Sequence, residues 1–391
     1  MNTSILGLGT ATPDNCMSQV EALEMFHNIL CETERQQRLA RALFRKSQIE
    51  NRHLVVPYRT AYTWCQPASV ALAAGENFSI TLPPTEIPEF MPGESAGPTT
   101  GERMKMYAQF AGDLAFQSAK TALGNSGISG NEITHLVVVT CTGFNSPGVD
   151  IELINRLGLP NTTQRVNVGF MGCHAAINGL RTALAITQAD PNARVLLCCV
   201  EICSLHYRFQ WDDEGIIGNA LFADGSASMV LGQSAGSISN AGCEWKLIDS
   251  GSIVIPDSEQ EMSWKVGDHG FEMKLTSEVG EAIENSLREW LVNWLGAHDL
   301  EMRDIDHWGV HPGGPRILSA VEKSLGLDKE QLQTSRAVLR QYGNMSSPTV
   351  LFILNEFMVQ LAETSRRKSG HCLLLAFGPG LVAEIALIQT N

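Results

Sequence analysis

The sequence predicts an α/β fold in which one layered unit is used twice, and three observations carry that expectation. Strand-sized apolar runs alternate with helical patterns from Thr134 onward. The same rhythm returns after about residue 245. The composition, 44% apolar and 18% charged over 391 residues, supplies enough core for two halves. The join is placed at 233–243, QSAGSISNAGC, which divides the chain into 1–235 and 236–391.

Taken in order, Ser4–Gly9 reads as a strand broken by the turn TATP. Ser18–Leu43 is helical in composition and leads into a basic stretch with Arg35, Arg38, Arg41, Arg45 and Lys46. Such a stretch reads either as a solvated helix face or as a rim for phosphates. Residues 60–100 are rich in Pro, Gly and Thr and read as a long surface excursion. Residues 106–127 form an amphipathic helix ended by Asn and Gly.

The alternation then begins. Thr134–Thr140, Arg165–Val168, Arg194–Ile202 and Ser226–Gly232 read as strands, with helices at Asp150–Leu157 and His174–Gln188. In the second half, Trp245–Ser252, His307–Val310, Cys372–Phe377 and Ala383–Gln389 are the strands. Helices are expected over Leu275–Leu295, Ile317–Ser324, Gln331–Tyr342 and Pro348–Glu363.

A net charge of -14 argues against general nucleic-acid binding, which needs a basic face. No C-x-x-C pair occurs among the ten cysteines, so zinc spacing is absent. The apolar runs are strand-sized, too short to span a membrane, and the first residues lack a basic leader. A cytoplasmic protein with free thiols is expected.

Three stretches carry chemistry-bearing residues. In RVNVGFMGCHAAINGLR (165–181), strand, glycine turn and helix place Cys173 at a helix N-terminus. There the dipole and free N–H groups favour a thiolate, although a buried cysteine also occurs as plain packing. HWGVHPGGPRIL (307–318) sets His311 just past a strand, and QYGNMSSPTV (341–350) sets Asn344 at the start of a helix. Strand ends and helix starts are where α/β folds expose functional groups, yet singly each residue also reads as structural.

Together with ALFADGSASMVLG and the closing AFGPGLVAE, these stretches resemble the type III polyketide synthases, the chalcone and stilbene synthase family of the thiolase superfamily. The resemblance covers nearly the whole chain. It implies a thiolase-like, duplicated αβαβα five-layered fold and a homodimer. It also implies coenzyme A thioesters as substrates, with no metal, no further cofactor and no carrier protein. Cys173, His311 and Asn344 match the family's catalytic triad, and Phe222 matches one of its two gate phenylalanines. The second gate position holds Met273, while Pro379 belongs to the cavity-scaffold loop. Lys46, with Arg45 and Arg41 beside it, falls at the coenzyme A tunnel mouth. His206, Trp264 and Ser346 match cavity positions, as do Cys141 and Cys203, which also read as packing.

The implied chemistry is physically coherent. A thiolate paired with imidazolium takes an acyl group from an acyl-CoA starter. Malonyl-CoA then loses CO2, and donors on His311 and Asn344 stabilise the enolate that attacks the acyl-cysteine. A carboxylate in place of Asn344 would repel that charge. Trp264, standing where plant relatives have glycine, implies a shortened or redirected cavity and a small pyrone or phenolic product. Two alternatives are a ketoacyl synthase III-like condensing enzyme and a cysteine acyl-CoA thioester hydrolase. A silent partner subunit would lack one of the three residues that are present here.

Overall fold

The computed structural model describes residues 3–57, 96–213, 215–233, 244–363 and 369–390. Strand β1 (Thr3–Ala11) is followed by a short β2 (Cys16–Ser18), helices α1 (Gln19–Leu30) and α2 (Glu34–Lys46), and β3 (Asn51–His53), which pairs with β2. The single helix expected over 18–43 is therefore two. Thr33 and Gln36 form a capping box that starts α2, just as Ser18 and Glu21 start α1. Most of the excursion expected over 60–100 lies outside the described residues. Helix α3 (Thr100–Ser126) begins six residues before the expected 106, because Thr99 and Glu102 cap it, and it ends on left-handed Gly127.

The strands of the first half are β4 (His135–Thr140), β5 (Gln164–Gly169), β6 (Arg194–Ile202) and β7 (Asp224–Gly232). Between them stand α4 (Val149–Leu157), α5 (Ala175–Ala189) and the short α6 (Ile216–Leu221). The second half carries β8 (Trp245–Val254), β9 (Met262–Gly267), β10 (Gly270–Leu275), α7 (Val279–Gly296) and β11 (His307–Val310). Helices α8 (Pro315–Leu325), α9 (Gln333–Tyr342) and α10 (Pro348–Glu363) then precede β12 (Gly370–Gly378) and β13 (Val382–Thr390). The long helix expected over Leu275–Leu295 starts only at Val279, since Leu275 ends the β9–β10 hairpin.

Nine strands join in the order β11-β12-β13-β8-β1-β7-β6-β4-β5. In the first half β1 is antiparallel to β7, β7 is antiparallel to β6, and β6 is parallel to β4. The second half repeats this: β8 antiparallel to β13, β13 antiparallel to β12, and β12 parallel to β11. Only Thr3–Ile5 of β1 pairs with Trp245–Leu247 of β8, so one short ladder joins the strands of the two units. The join expected at 233–243 lies almost wholly outside the described residues.

Side-chain alternation sorts this sheet into layers. Leu136 and Val138 of β4 pack in one core with Leu114 and Ala115 of α3, while Val137 and Val139 face a second core. That second core also takes Leu180 of α5, Val350 and Leu354 of α10, and Leu374 and Ala376 of β12. Leu373 and Leu375 face the other way, onto Ile283 and Leu287 of α7 and Leu318 of α8. The result is helix, sheet, helix, sheet, helix. With both sheet faces covered, each fully buried Leu, Ile or Val stabilises by about 1.5–3 kcal/mol. The central helices α5 and α10 are apolar on most sides because both flanks are sheet.

Candidate active site

Cys173 occupies a single 3-10 turn, Gly172–His174, between β5 and α5. Left-handed backbone at Phe170 (φ 61°) and Gly172 (φ 76°) reverses the chain there. A Cβ on residue 172 would stand 2.3 Å from Pro379 Cδ, so glycine lets the FGPG loop close against the nucleophile turn. The side chain of Cys173 is half-buried.

The lowered thiol pKa expected of a helix N-terminus is not found. Burial pushes the Cys173 thiol up to about 11; hydrogen bonds with Ser346 and Asn344 oppose the rise, and the Glu201 carboxylate adds to it. A helix dipole contributes about 0.3–2 kcal/mol, less than the cost of desolvating a thiolate beside a carboxylate. These surroundings favour the neutral thiol of Cys173 over a lone thiolate.

His311 follows β11, and its backbone N–H donates to Leu375 O at 2.8 Å. Its imidazole is 1% exposed, and neither ring nitrogen has a hydrogen-bond partner. Burial lowers its pKa to about 3, with the charge of His174 contributing. Taken singly, both groups are favoured in their neutral forms, thiol and imidazole, whereas the sequence pointed to a thiolate–imidazolium pair.

Asn344 follows α9 and left-handed Gly343 (φ 73°). Its backbone N–H donates to Leu221 O and its carbonyl accepts from Ala223 N–H, both at 2.9 Å, which locks it beside Phe222. Ser346 N–H donates to Asn344 Oδ1 at 2.8 Å. That bond fixes the amide orientation and turns Nδ2, the donor end, toward Cys173, with a further long contact of 3.4 Å to Gly313 O.

The remaining residues fall into two groups. Cys141 and Ser346 lie against the nucleophile: Cys141 Sγ is 3.4 Å from Ser346 Oγ, which also bonds Cys173. Cys203 is buried in the same cluster, and burial raises both extra thiols well above the ordinary range. The other group is aromatic. Trp264 on β9 pairs directly with Met273 on β10, donates its indole N–H to Cys141 O at 2.9 Å, and meets His206 and Phe222 edge-on. His206 stacks on Phe271, and both its nitrogens are engaged, with Thr142 O at 2.7 Å and Phe271 N at 2.9 Å. It is a fixed wall with no free nitrogen for acid–base work.

Arg41, Arg45 and Lys46 are exposed on α2 and make no ion pair among the described residues, whereas Arg35 and Arg38 pair with Asp213 and Glu34. The helix ends against α6, since Gln19 links Ser47 to Ala220 O.

With this geometry in place, comparison with known proteins decides the family. Residues 85–235 match the N-terminal domain of chalcone and stilbene synthases, and residues 246–390 match the C-terminal domain. The alpha-pyrone synthesis polyketide synthase-like Pks18 of Mycobacterium tuberculosis is 30% identical over 97% of this chain and 89% of its own. The chain belongs to the type III polyketide synthases. Type III polyketide synthase C of Arabidopsis thaliana is 29% identical over 99% of this chain and 94% of its own. Among solved structures, PKS-I from the brown alga Ectocarpus siliculosus superposes with a TM-score of 0.88 at 30% identity, over 100% of this chain and 98% of that one. Family membership makes the chain a malonyl-CoA-dependent acyltransferase that forms carbon–carbon bonds, with the thiolase-like fold described above.

One residue of this synthase site escaped sequence reasoning. Glu201, 0% exposed on β6, accepts from Cys141 N–H at 2.9 Å, Thr142 Oγ1 at 2.7 Å and Ser347 Oγ at 2.6 Å. Burial raises its pKa, and those donors oppose the rise. It ties the end of β4 to the segment after Asn344, which sets Cys141 and Ser346 at the nucleophile. Its signal was available: a lone carboxylate in the apolar run RVLLCCVEI, where charge is costly unless paired.

Proposed function

We propose that this synthase loads an acyl-CoA starter on Cys173 and extends it with malonyl-CoA by decarboxylative Claisen condensation, releasing a small pyrone or phenolic product. His311 takes the thiol proton as Cys173 attacks the starter thioester, and the acyl group becomes a cysteine thioester while coenzyme A leaves. Malonyl-CoA then places its thioester carbonyl between His311 and the Asn344 amide. Loss of CO2 leaves an enolate, and both donors hold the developing oxyanion in a water-poor pocket. The enolate carbon attacks the acyl-cysteine, forming the new carbon–carbon bond and freeing the thiolate.

The observation that supports this reading best is the pair of unpartnered buried nitrogens on His311 beside an amide whose oxygen is already pinned. Buried polar groups are almost always satisfied, so donors left open mark a place for a ligand atom. Arg41, Arg45 and Lys46 are the cations for the coenzyme A phosphates, and thioesters serve as substrates with no metal or further cofactor. Trp264 fills space beside Cys141, which favours a small starter and few extensions.

The synthase is a cytoplasmic homodimer in this reading. Edge strand β5 is exposed along nearly its whole length, with Val166, Phe144 and Met171 all at least 40% exposed on that face. A monomer in sedimentation at micromolar concentration would contradict the dimer.

The test incubates purified protein with carbon-labelled malonyl-CoA and a panel of acyl-CoA starters. Labelled CO2 and cyclised products are expected. Cys173→Ala is expected to keep decarboxylation and lose products, whereas Asn344→Ala loses most decarboxylation, by roughly a hundredfold or more. Starter hydrolysis with malonyl-CoA untouched would overturn the proposal.

A further inference from the structure

Next to the nucleophile stands a second histidine that the reaction above does not use. His174 ends the 3-10 turn that carries Cys173, and it is 1% exposed. Its ring lies directly on the end of β12: a Cβ on Gly378 would stand 2.2 Å from His174 Cδ2 and 2.6 Å from Nε2. Nδ1 is 2.8 Å from Asn178 Oδ1, an acceptor, so Nδ1 carries the proton and Nε2 is the lone-pair nitrogen. Asn178 Nδ2 donates to Glu384 Oε1 at 3.1 Å, and Glu384, 3% exposed, also accepts from Ser252 Oγ at 2.8 Å and pairs with Arg181.

This chain crosses the molecule. His174, Asn178 and Arg181 belong to the turn and α5 of the first half, whereas Gly378, Ser252 and Glu384 lie on β12, β8 and β13 of the second. His311 is anchored to the same strand, through Leu375 O. Its imidazole is also near enough to His174 for their charges to oppose one another.

We propose that His174 is a positioning residue that fixes Cys173 against His311 across the two halves, with Asn178 and Glu384 holding it from behind. The inference rests on the reading of Cys173 and His311 as the reacting pair. The ring acts as a wedge of set depth: the Asn178 bond chooses its rotamer and tautomer, and Gly378 gives it a seat. Loss of that wedge lets the nucleophile turn slide on β12, and small misplacements of reacting groups cost large factors in rate.

A second consequence is electrical. The groups facing His174 are Glu384 from β13, Arg181 from its own helix, and His311 beyond β11. When His174 is protonated, its charge opposes a second proton on the Cys173–His311 pair. Removing the ring therefore makes that pair easier to protonate, and the acid limb of Cys173 reactivity moves to higher pH.

The experiment compares His174→Phe, His174→Asn and Asn178→Ala in the full-length protein. It measures kcat and KM for malonyl-CoA, and the pH profile of Cys173 alkylation by iodoacetamide, read by peptide mass. Asparagine can place its amide N–H where Nδ1–H stood. His174→Phe is expected to lose roughly tenfold to a hundredfold in kcat, with KM within about twofold, and Asn178→Ala to lose part of that. His174→Asn is expected to recover most of kcat. Both uncharged replacements move the acid limb upward. Unchanged kcat and acid limb in His174→Phe would overturn the proposal, as would equal losses in the Phe and Asn variants with an unmoved limb. If Cys173→Ala retains product formation, the underlying reading fails instead, and the two failures are told apart.

Discussion

Charge in this site is decided residue by residue by burial, and the balance has a measurable pH signature. His206 and His311 are held neutral, each with a pKa of about 3 against 6.5 in the unfolded chain, chiefly by desolvation. Histidines depressed in this way contribute stability that is fully present above pH 6.5 and lost as pH falls through their folded values. Burial shifts His174 and His307 in the same direction. Asp224 works the other way: burial raises it to about 6 from 3.8, so its contribution is lost as pH rises through that value. Glu201, also raised by burial, acts in the same sense as Asp224, but four depressed histidines stand against these two carboxylates, so the histidines dominate. The urea midpoint is expected to fall between pH 7 and pH 4, and a flat or rising midpoint over that interval would contradict this assignment of buried neutral histidines. The sequence showed which residues gather at the site but not their charge states. A helix N-terminus is visible in GFMGCHAA, whereas the burial and the Glu201 carboxylate that outweigh it, and the Ser346 and Asn344 hydrogen bonds that oppose them, come from residues distant in sequence.

At the scale of elements, the β9–β10 hairpin brings the largest aromatic side chain to the candidate site. Its register sets Trp264 opposite Met273, so the two residues that the resemblance placed at the cavity and the gate are cross-strand neighbours. The indole is pinned by Cys141 O, with Phe271 and His206 against its faces. Trp264→Gly is expected to open the space beside Cys141 and lengthen the product by at least one extension, read by product mass, whereas an unchanged product set would remove Trp264 from control of chain length. This hairpin was the main element not legible in the sequence. MSWKVGDHGFEMKL alternates weakly, is mostly half-buried, and runs straight into the polar start of α7, so it carried no strand signal and only its last residue, Leu275, was read, as the start of the helix. Strands buried on both faces, such as Arg194–Ile202, were legible to the residue because nothing but a central strand uses so continuous an apolar run. The α1–α2 break was readable in principle from the capping pattern at Thr33 and Gln36, but the surrounding helix-forming composition masked it.

For the whole molecule, the duplicated layered fold exists to bring two halves edge to edge. Cys173 comes from the first half, His311 and Asn344 from the second, and the FGPG loop, Glu201 and the His174 chain cross between them. That architecture was legible from the repeated rhythm of strands and helices. The reaction class became legible only when three separated stretches were read together, since each alone also reads as packing or a turn. Quenched-flow peptide mapping tests most directly whether Cys173 carries the growing chain. After mixing with an acyl-CoA starter and malonyl-CoA, the Cys173 peptide is expected to carry the starter acyl group and then species heavier by successive two-carbon ketide units. An unmodified Cys173 peptide during turnover, with acyl mass on another residue or none, would contradict it.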